Sequence, residues 1–257
     1  MQPLAGIKVL DLSRILAGPH AAQTLADLGA EVTKIEAPWG DDTRRWGPPF
    51  QTGFTGEDVA AYYLSCNRGK TVLNGDIKIE REHIRELMAQ ADVVIENFRP
   101  GTFDRLLGPV DPQTVLCSIS GYGQSGPRRD EVAFDLTMQA RSGIMSITGD
   151  ADGGPAKVGV AWIDVMTGMN AVSAILAALY HREKTGEGAR IDISLGHRAG
   201  RVGQSRAQCP GRHHARPHGQ RPSQPRPLPC VPSQRRVVCH RRGHRKPVES
   251  AREGARP

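Results

Sequence analysis

Hydrophobic and polar positions change their period several times along the first 195 residues of the chain. Runs with strand-like character lie at 7–12, 31–36, 91–96, 114–120 and 190–195. Apolar residues at helical spacing lie between them, at 22–28, 84–91 and 165–180. Strands that alternate with helices are typical of βαβ units. The pattern therefore predicts an α/β fold with a mostly parallel sheet.

Two segments between these elements are predicted to be loops. Residues 37–60 are rich in Pro, Gly, Asp and Thr. Residues 121–127 (GYGQSGP) follow the strand at 114–120, and their backbone amides could cradle a phosphate. Because the glycine spacing matches neither the dinucleotide-binding motif nor the P-loop, a plain turn is the preferred interpretation.

The segment 165–180 is apolar nearly all round, which predicts a buried core helix too short to cross a membrane. Asp164 stands at its start, where aspartate is a preferred N-cap. The helix N-terminus is expected to lower the pKa of this carboxyl and keep it ionised. An ionised aspartate in a dry cleft can also act as a nucleophile that forms an acyl intermediate. Position alone leaves both interpretations open.

The chemical character of the chain changes at Gly196. Residues 196–257 hold 14 Arg and one Lys against two Glu, a formal charge of +13. Because the whole chain carries +7, residues 1–195 carry −6. The tail also lacks Phe, Tyr, Trp, Ile and Met, so it cannot bury enough apolar surface to fold. We expect one folded domain at 1–195 and an Arg/Pro-rich disordered tail at 196–257.

The tail permits more specific interpretations. An Arg-rich segment could bind nucleic acid through its phosphates, but no aromatic residues lie between the basic ones. Candidate zinc ligands are Cys209, His213, His214, Cys239, His240 and His244. Their spacing fits no common zinc finger. Such a composition also arises when a GC-rich gene is read in a shifted frame, and a frameshift after about Ser194 is the favoured explanation.

The sequence predicts neither a membrane-spanning segment nor a secreted protein. The chain has no run of 18 apolar residues, and residues 1–30 lack the pattern of a signal peptide. The five Cys include no CxxC pair and suggest no disulfide framework. A cytoplasmic, reduced setting is the expectation, without a bound metal.

Several long motifs resemble one family in the same order along the chain. They are GIKVLDLSRILAGPHAAQTLADLGAEVTKIE, ADVVIENFRPGTFDRLLG, SISGYGQSGP and KVGVAWIDVMTGMNAVSAILAALYHREKTGEGARIDISL. Residues 4–195 are thereby similar to the class III CoA-transferases of the CaiB/BaiF type, which include formyl-CoA transferase, carnitine CoA-transferase and α-methylacyl-CoA racemase. The resemblance implies an enzyme that moves CoA from an acyl-CoA to a carboxylic acid.

The resemblance also implies roles for particular residues. Asp164 matches the nucleophilic aspartate that carries the acyl group, and the site is expected to exclude water. The residues that match coenzyme A contacts are Arg14, Ile15, Leu16, Ala17, Asn67, Arg68, Asn97, Phe98 and Arg105. Asn97 and Phe98 match the adenine side, and Arg105 matches a cation on the phosphate side. Coenzyme A enters as substrate, and no permanently bound cofactor is implied.

Two features distinguish this chain within the resemblance. Racemases of the family have a proton-carrying histidine at the position of Phe134, so racemisation of an acyl-CoA is the disfavoured alternative. The motifs GDDTRRWGPPF and KVGVAWIDVMTGM resemble most the branch that moves CoA between dicarboxylic acids such as succinate. A non-enzymatic body with a nucleic-acid-binding tail is the third alternative.

The resemblance implies that residues 1–195 belong to a Rossmann-like large domain, and that the family chain is longer than this one and forms an interlocked homodimer. Because the resemblance stops near Gly196, we expect the 257-residue chain to be a truncated and impaired form of its parent.

Overall fold

The computed structural model describes residues 1–53, 56–150 and 153–196, together with the backbone of two short strands. These strands, Val231–Pro232 and Val237–Val238, pair in antiparallel fashion. The rest of the tail, with its predicted disorder, candidate zinc ligands and nucleic-acid contacts, lies outside the described residues.

Eight further strands form the described sheets. They are β1 (Lys8–Asp11), β2 (Glu31–Glu36), β3 (Phe50–Thr52), β4 (Asp58–Ala60), β5 (Lys70–Asn74), β6 (Val93–Glu96), β7 (Val115–Ser120) and β8 (Ala189–Ser194). Six of them form a sheet in the order β5-β2-β1-β6-β7-β8, and every neighbouring pair in it is parallel. The predicted parallel α/β fold is confirmed. Strands β3 and β4 form a separate antiparallel pair within the segment predicted as a loop.

Six α-helices connect and cover the strands. They are α1 (Ala17–Asp27), α2 (Ala61–Asn67), α3 (Arg81–Ala89), α4 (Thr102–Leu107), α5 (Asp135–Arg141) and α6 (Trp162–Thr185). The sequence pattern identified α1, α3 and α6. It missed α2, α4 and α5, because helices of six or seven residues are too short to show a helical period.

Two apolar layers sandwich the parallel sheet. Helices α1 and α6 cover one face, where Leu25 and Ile175 are fully buried against residues such as Val93. Helices α3 and α4 cover the other face, where Ile84 and Phe103 pack with sheet residues. Each fully buried side chain of this kind stabilises the fold by about 1.5–3 kcal/mol.

Helix α6 differs from the predicted core helix in two respects. It is 24 residues long, which is long and apolar enough to cross a bilayer by length and composition, a test that core helices of globular domains also pass. It is also buried on one face only, since Met169 and Tyr180 are 54% and 68% exposed. The prediction of burial all round was wrong because α6 lies against α1 and the sheet, which occupy a single side of it.

The strand order places a crevice at the centre of the sheet. From β1 the chain continues to β2 on one side, and later enters β6 on the other side. The loops that leave the carboxyl ends of β1 and β6 therefore diverge. Ligands of open α/β sheets bind at such a switch point.

Candidate functional site

The loops after β1 and β6 are joined at this switch point by one side chain. The Asn97 side-chain amide donates to the Arg14 carbonyl oxygen at 2.8 Å. Its Oδ1 accepts from the Arg14 backbone N–H at 3.0 Å. The structure thus brings together two residues that the sequence assigned to one ligand, and Asn97 uses its amide to hold the Arg14 backbone.

The other predicted coenzyme contacts in the loop after β1 differ in how far their side chains are exposed to a ligand. The Arg14 side chain is exposed, and Ile15 is partly buried with a left-handed φ of 72°. Leu16 and Ala17 are buried, at 7% and 5% exposure. The last two can therefore face a ligand through their backbone only, at the start of α1.

Phe98 and Arg105 lie on the second loop and on the helix that follows it. Phe98 is partly buried and packs against the α3–α4 layer of the core. Its backbone N–H donates to the Glu96 carboxylate at 2.7 Å, which fixes the turn after β6. Burial raises the pKa of Glu96 to about 7. Arg105 is exposed on α4, so its guanidinium is available to an anion in solution.

Asn67 and Arg68 point to different places. The Asn67 amide lies near the switch point, since the Lys70 ammonium that it binds also donates to Asp11 at the end of β1 and to the Pro19 carbonyl oxygen in α1. The Asn67 amide is buried and bonds Lys70 and the Tyr63 carbonyl oxygen. The Arg68 guanidinium pairs with Asp27 at 2.6 Å. Because Asp27 ends α1, which begins at the switch point and spans about 16 Å, the Arg68 side chain lies toward the opposite edge of the sheet.

Asp164 is the third residue of α6 and is partly buried. The prediction that Asp164 is the N-cap was wrong, because Ala161 occupies that position. The helix is capped instead from another element. The Oδ1 atom of Asp135, on α5, accepts from the backbone N–H groups of Ile163 at 2.7 Å and Asp164 at 3.2 Å.

The electrostatic state of Asp164 also differs from the expectation. Burial and the neighbouring Asp135 carboxylate raise its pKa from 3.8 to about 7. The predicted lowering by the helix N-terminus was wrong. The larger cause is burial, which disfavours the ionised carboxylate. Asp135 adds to it, because it already binds the free N–H groups of α6 and places a negative charge beside Asp164.

Tyr62 is a neighbour of this site that the sequence did not identify. Burial and the carboxylates of Asp164 and Asp135 raise its pKa to about 12, so it remains a hydrogen-bond donor at neutral pH. Its ring contacts Trp46, with 5.6 Å between the ring centroids. Tyr62 stands on α2, whose short length left no helical period in the sequence.

Asp135 is the second missed residue of the site. It follows Phe134, a position considered in the sequence only for what it lacks. An aspartate that begins a helix has an obvious local explanation. Its bonds to residues 28 and 29 positions later could not be read from that pattern.

The loop 121–127 does not offer a free row of amides. The Gly123 N–H donates to the Ser120 hydroxyl at 2.9 Å, and the Gln124 N–H donates to Asp192 at 2.9 Å. These bonds support the interpretation as a turn. Within residues 1–53, 56–150 and 153–196, no group of three or more His, Cys, Asp or Glu side chains is arranged to hold a metal ion.

Comparison with known proteins decides the family. The sequence profile described as CoA-transferase family III matches residues 4–234. The chain belongs to CoA-transferase family III. The match extends past Leu195 into the basic tail, beyond the point where the resemblance in the motifs stops.

Curated relatives align with most of this chain. Succinate–glutarate CoA-transferase of Agrobacterium fabrum is 49% identical over 203 residues, which are 75% of this chain and 51% of the relative. Human succinyl-CoA:glutarate CoA-transferase is 45% identical over 204 residues, which are 76% of this chain and 45% of the relative. The chain thus spans about half the length of the curated relatives it matches.

Two solved structures share the fold. A CaiB/BaiF family protein from Brucella suis superposes with a TM-score of 0.78 at 45% identity, over 83% of this chain and 59% of that protein. Rv3272 from Mycobacterium tuberculosis superposes with a TM-score of 0.71 at 33% identity, over 80% of this chain and 59% of that protein.

Proposed function

We propose that this chain carries the acyl-capturing site of a CoA-transferase that moves CoA from succinyl-CoA to a dicarboxylic acid such as glutarate. Relatives named for transfer between succinate and glutarate support the substrate class. The observation that carries the proposal is the position of Asp164. It is partly buried, lies near a second carboxylate, and stands in the first turn of α6, which packs against the start of α1 at Ala17.

The reaction follows from the chemistry of a carboxylate and a thioester. An ionised oxygen of Asp164 attacks the thioester carbonyl, and the carbon–sulfur bond breaks. The CoA thiolate is released, and an aspartyl–succinyl anhydride is formed. The thiolate then attacks the aspartyl carbonyl, which releases succinate and forms an aspartyl-CoA thioester. The acceptor carboxylate attacks this thioester, and the returning thiolate converts the second anhydride to the new acyl-CoA and free Asp164.

The raised pKa of Asp164 sets the pH dependence of this capture. Only the ionised carboxylate attacks, and with a pKa of about 7 roughly half of the chains are ionised at neutral pH. A less stabilised carboxylate is also a stronger nucleophile. The rate of acyl capture should therefore rise through pH 7 and level off above about pH 8.

The coenzyme is proposed to lie along the switch-point loops. The loop 13–16 and the start of α1 offer backbone groups, while Arg14 and Arg105 offer exposed cations to phosphate oxygens. Phe98, which is partly buried in the loop after β6, is proposed to contact the coenzyme through the exposed part of its ring. Arg68, paired with Asp27 at the far end of α1, is assigned no contact in this proposal.

Hydroxylamine trapping of the intact chain tests the proposal. The chain is mixed with succinyl-CoA and then with hydroxylamine, which converts an acylated aspartyl group to a hydroxamate that mass spectrometry locates. We expect the label on the peptide that contains Asp164, and none in Asp164→Asn. Labelling elsewhere, or equal labelling in both proteins, would refute the role of Asp164. Asp130→Asn, a change at an exposed aspartate, is the matched control.

A racemase would need a proton carrier where this chain has Phe134, whose side chain carries none and is 69% exposed. No observation on the described residues favours that alternative.

The interlocked homodimer stays a prediction.

A further inference from the structure

The turn at residues 13–16 contains a strained residue. Ile15 has a φ of 72°, in the left-handed region, and is the only residue other than glycine with a positive φ in the described part of the chain. A branched Cβ makes this conformation unfavourable. Such a residue persists only where its surroundings determine the backbone more strongly than its own preference.

Side chains from three other elements hold the backbone of this turn. Asn97, after β6, bonds both backbone groups of Arg14. Asp41, in the loop after β2, accepts from the Ile15 N–H at 3.3 Å. Lys34, on β2, donates to the Ser13 carbonyl oxygen at 2.7 Å.

Lys34 connects two of these contacts through one atom. The Oδ2 atom of Asp41 that accepts from Ile15 also lies 3.3 Å from the Lys34 ammonium nitrogen. The Lys34 side chain is fully buried and the Asp41 side chain is 1% exposed, so water does not compete for either group. Thr43 holds the other oxygen, Oδ1, of the same carboxylate, so the ammonium group of Lys34 is the contact that fixes Oδ2 toward Ile15.

The charges around Lys34 are balanced. Lys70 lies 2.8 Å from Asp11, and Lys34 lies 4.0 Å from the same carboxylate oxygen. Burial alone raises the pKa of Asp11, but the two ammonium groups outweigh it and hold this pKa below 3.8. With Asp41, the cluster has two cations and two anions. A buried lysine is tolerated there because each charge has a partner.

We propose that Lys34 is a positioning residue of the coenzyme A site, which holds the turn 13–16 with Ile15 in its left-handed conformation before the coenzyme binds. The inference rests on the proposed function, since it takes this turn to be a coenzyme contact. A preformed turn loses less conformational freedom on binding, and the strain at Ile15 is maintained by the buried ion pair. Lys34 itself touches neither coenzyme nor acyl group.

Replacing Ile15 by glycine and by alanine tests whether residue 15 is held in a strained left-handed conformation. Both substitutions remove the same apolar side chain, but only glycine adopts a positive φ without strain. We expect Ile15→Gly to melt about 2–6 °C above Ile15→Ala. At Ile79, which is 80% exposed and has no positive φ, the order should be the reverse or equal.

The same pair of substitutions in a Lys34→Met background tests the role of Lys34. If Lys34 imposes the strained turn, the advantage of glycine over alanine should disappear. An advantage that is unchanged in this background, or an alanine variant that melts above the glycine variant in the parent chain, would overturn the proposal. Asp41→Asn preserves side-chain volume and provides a second background in which the same loss is expected.

Coenzyme binding gives a separate readout. Titration calorimetry with free coenzyme A should show binding at least about tenfold weaker in Lys34→Met than in the parent chain. Lys8→Met, the same change at an exposed lysine of β1, should bind as the parent does. A parent chain that does not bind coenzyme A would contradict the proposed function, while the glycine–alanine comparison would still decide the role of Lys34. Equal affinity in the parent and Lys34→Met would refute the positioning role.

Discussion

Replacing Asp164 by asparagine should stabilise the folded chain at pH 8 and change its stability little near pH 4. The pKa of this carboxyl is about 7 in the folded chain, against 3.8 for an unperturbed aspartate. Because the folded value is the higher one, the neutral acid favours the folded state and the ionised form opposes it. This favourable contribution is complete below pH 4 and is lost as the pH rises through about 7. Asparagine stays neutral throughout, so the variant escapes that loss.

The size of the effect follows from the same two pKa values. A difference of about three pKa units between the folded and unfolded chain changes the free energy of unfolding by at most about 4 kcal/mol, at about 1.4 kcal/mol per unit. Asp164 is only partly buried, so solvent screens part of this interaction. The expected gain in the free energy of unfolding is therefore roughly 1–2 kcal/mol at pH 8.

Urea unfolding at pH 4.5, 6 and 8 provides the assay, with the denaturant slope checked for each protein. The difference between Asp164→Asn and the parent should grow steadily with pH. Asp130→Asn, at a side chain that is 82% exposed, should show no such growth. A constant difference across the three pH values, or a variant less stable than the parent at pH 8, would refute the assignment of a buried, repelled carboxylate.

Two further substitutions probe the support of the same helix. In Gly168→Ala the added Cβ would lie 2.7 Å from the Ala17 carbonyl oxygen, so α6 must move away from α1. We expect the free energy of unfolding, measured by thermal unfolding, to fall by about 1–3 kcal/mol. Gly159→Ala, where nothing lies within 4 Å of the added Cβ, should show no such loss. Equal melting temperatures of these two variants would contradict the close contact. Asp135→Asn keeps an acceptor for the α6 amides but removes the charge. The pH midpoint of acyl capture by Asp164 should therefore fall by roughly one unit. The larger part of the rise in the pKa of Asp164 should remain, because burial causes it. An unchanged midpoint in the trapping assay would show that the charge of Asp135 has no effect.

The predicted positions of the coenzyme residues show how far motif resemblance reaches. The residues of the first and second loops, Arg14 and Asn97, meet at the switch point as expected, since parallel strands bring their carboxyl ends to one edge. The resemblance did not reveal that the Asn97 amide is used to hold a backbone. It also placed Arg68 in the same set, whereas the ion pair with Asp27 directs this side chain along α1.

Strand β2 shows a signal that was present in the sequence but not used. Its alternation places Val32, Lys34 and Glu36 on one buried side. Two charged residues at inward positions of a strand require buried partners, because an unpaired charge is costly to bury. The pattern could therefore have indicated a polar cluster beneath the switch point, although it could not have named Asp41 or Ser13 as the partners.

The sequence by itself determined the parallel α/β fold, the bounds of β2 at Glu31–Glu36, and the candidate nucleophile Asp164. These follow from local periodicity and from motifs whose residues are close along the chain. Only the tertiary structure decided that Asp135 caps α6 and that the pKa of Asp164 rises rather than falls. A pKa depends on burial and on charges within a few ångströms, and those neighbours come from elements that are distant in sequence.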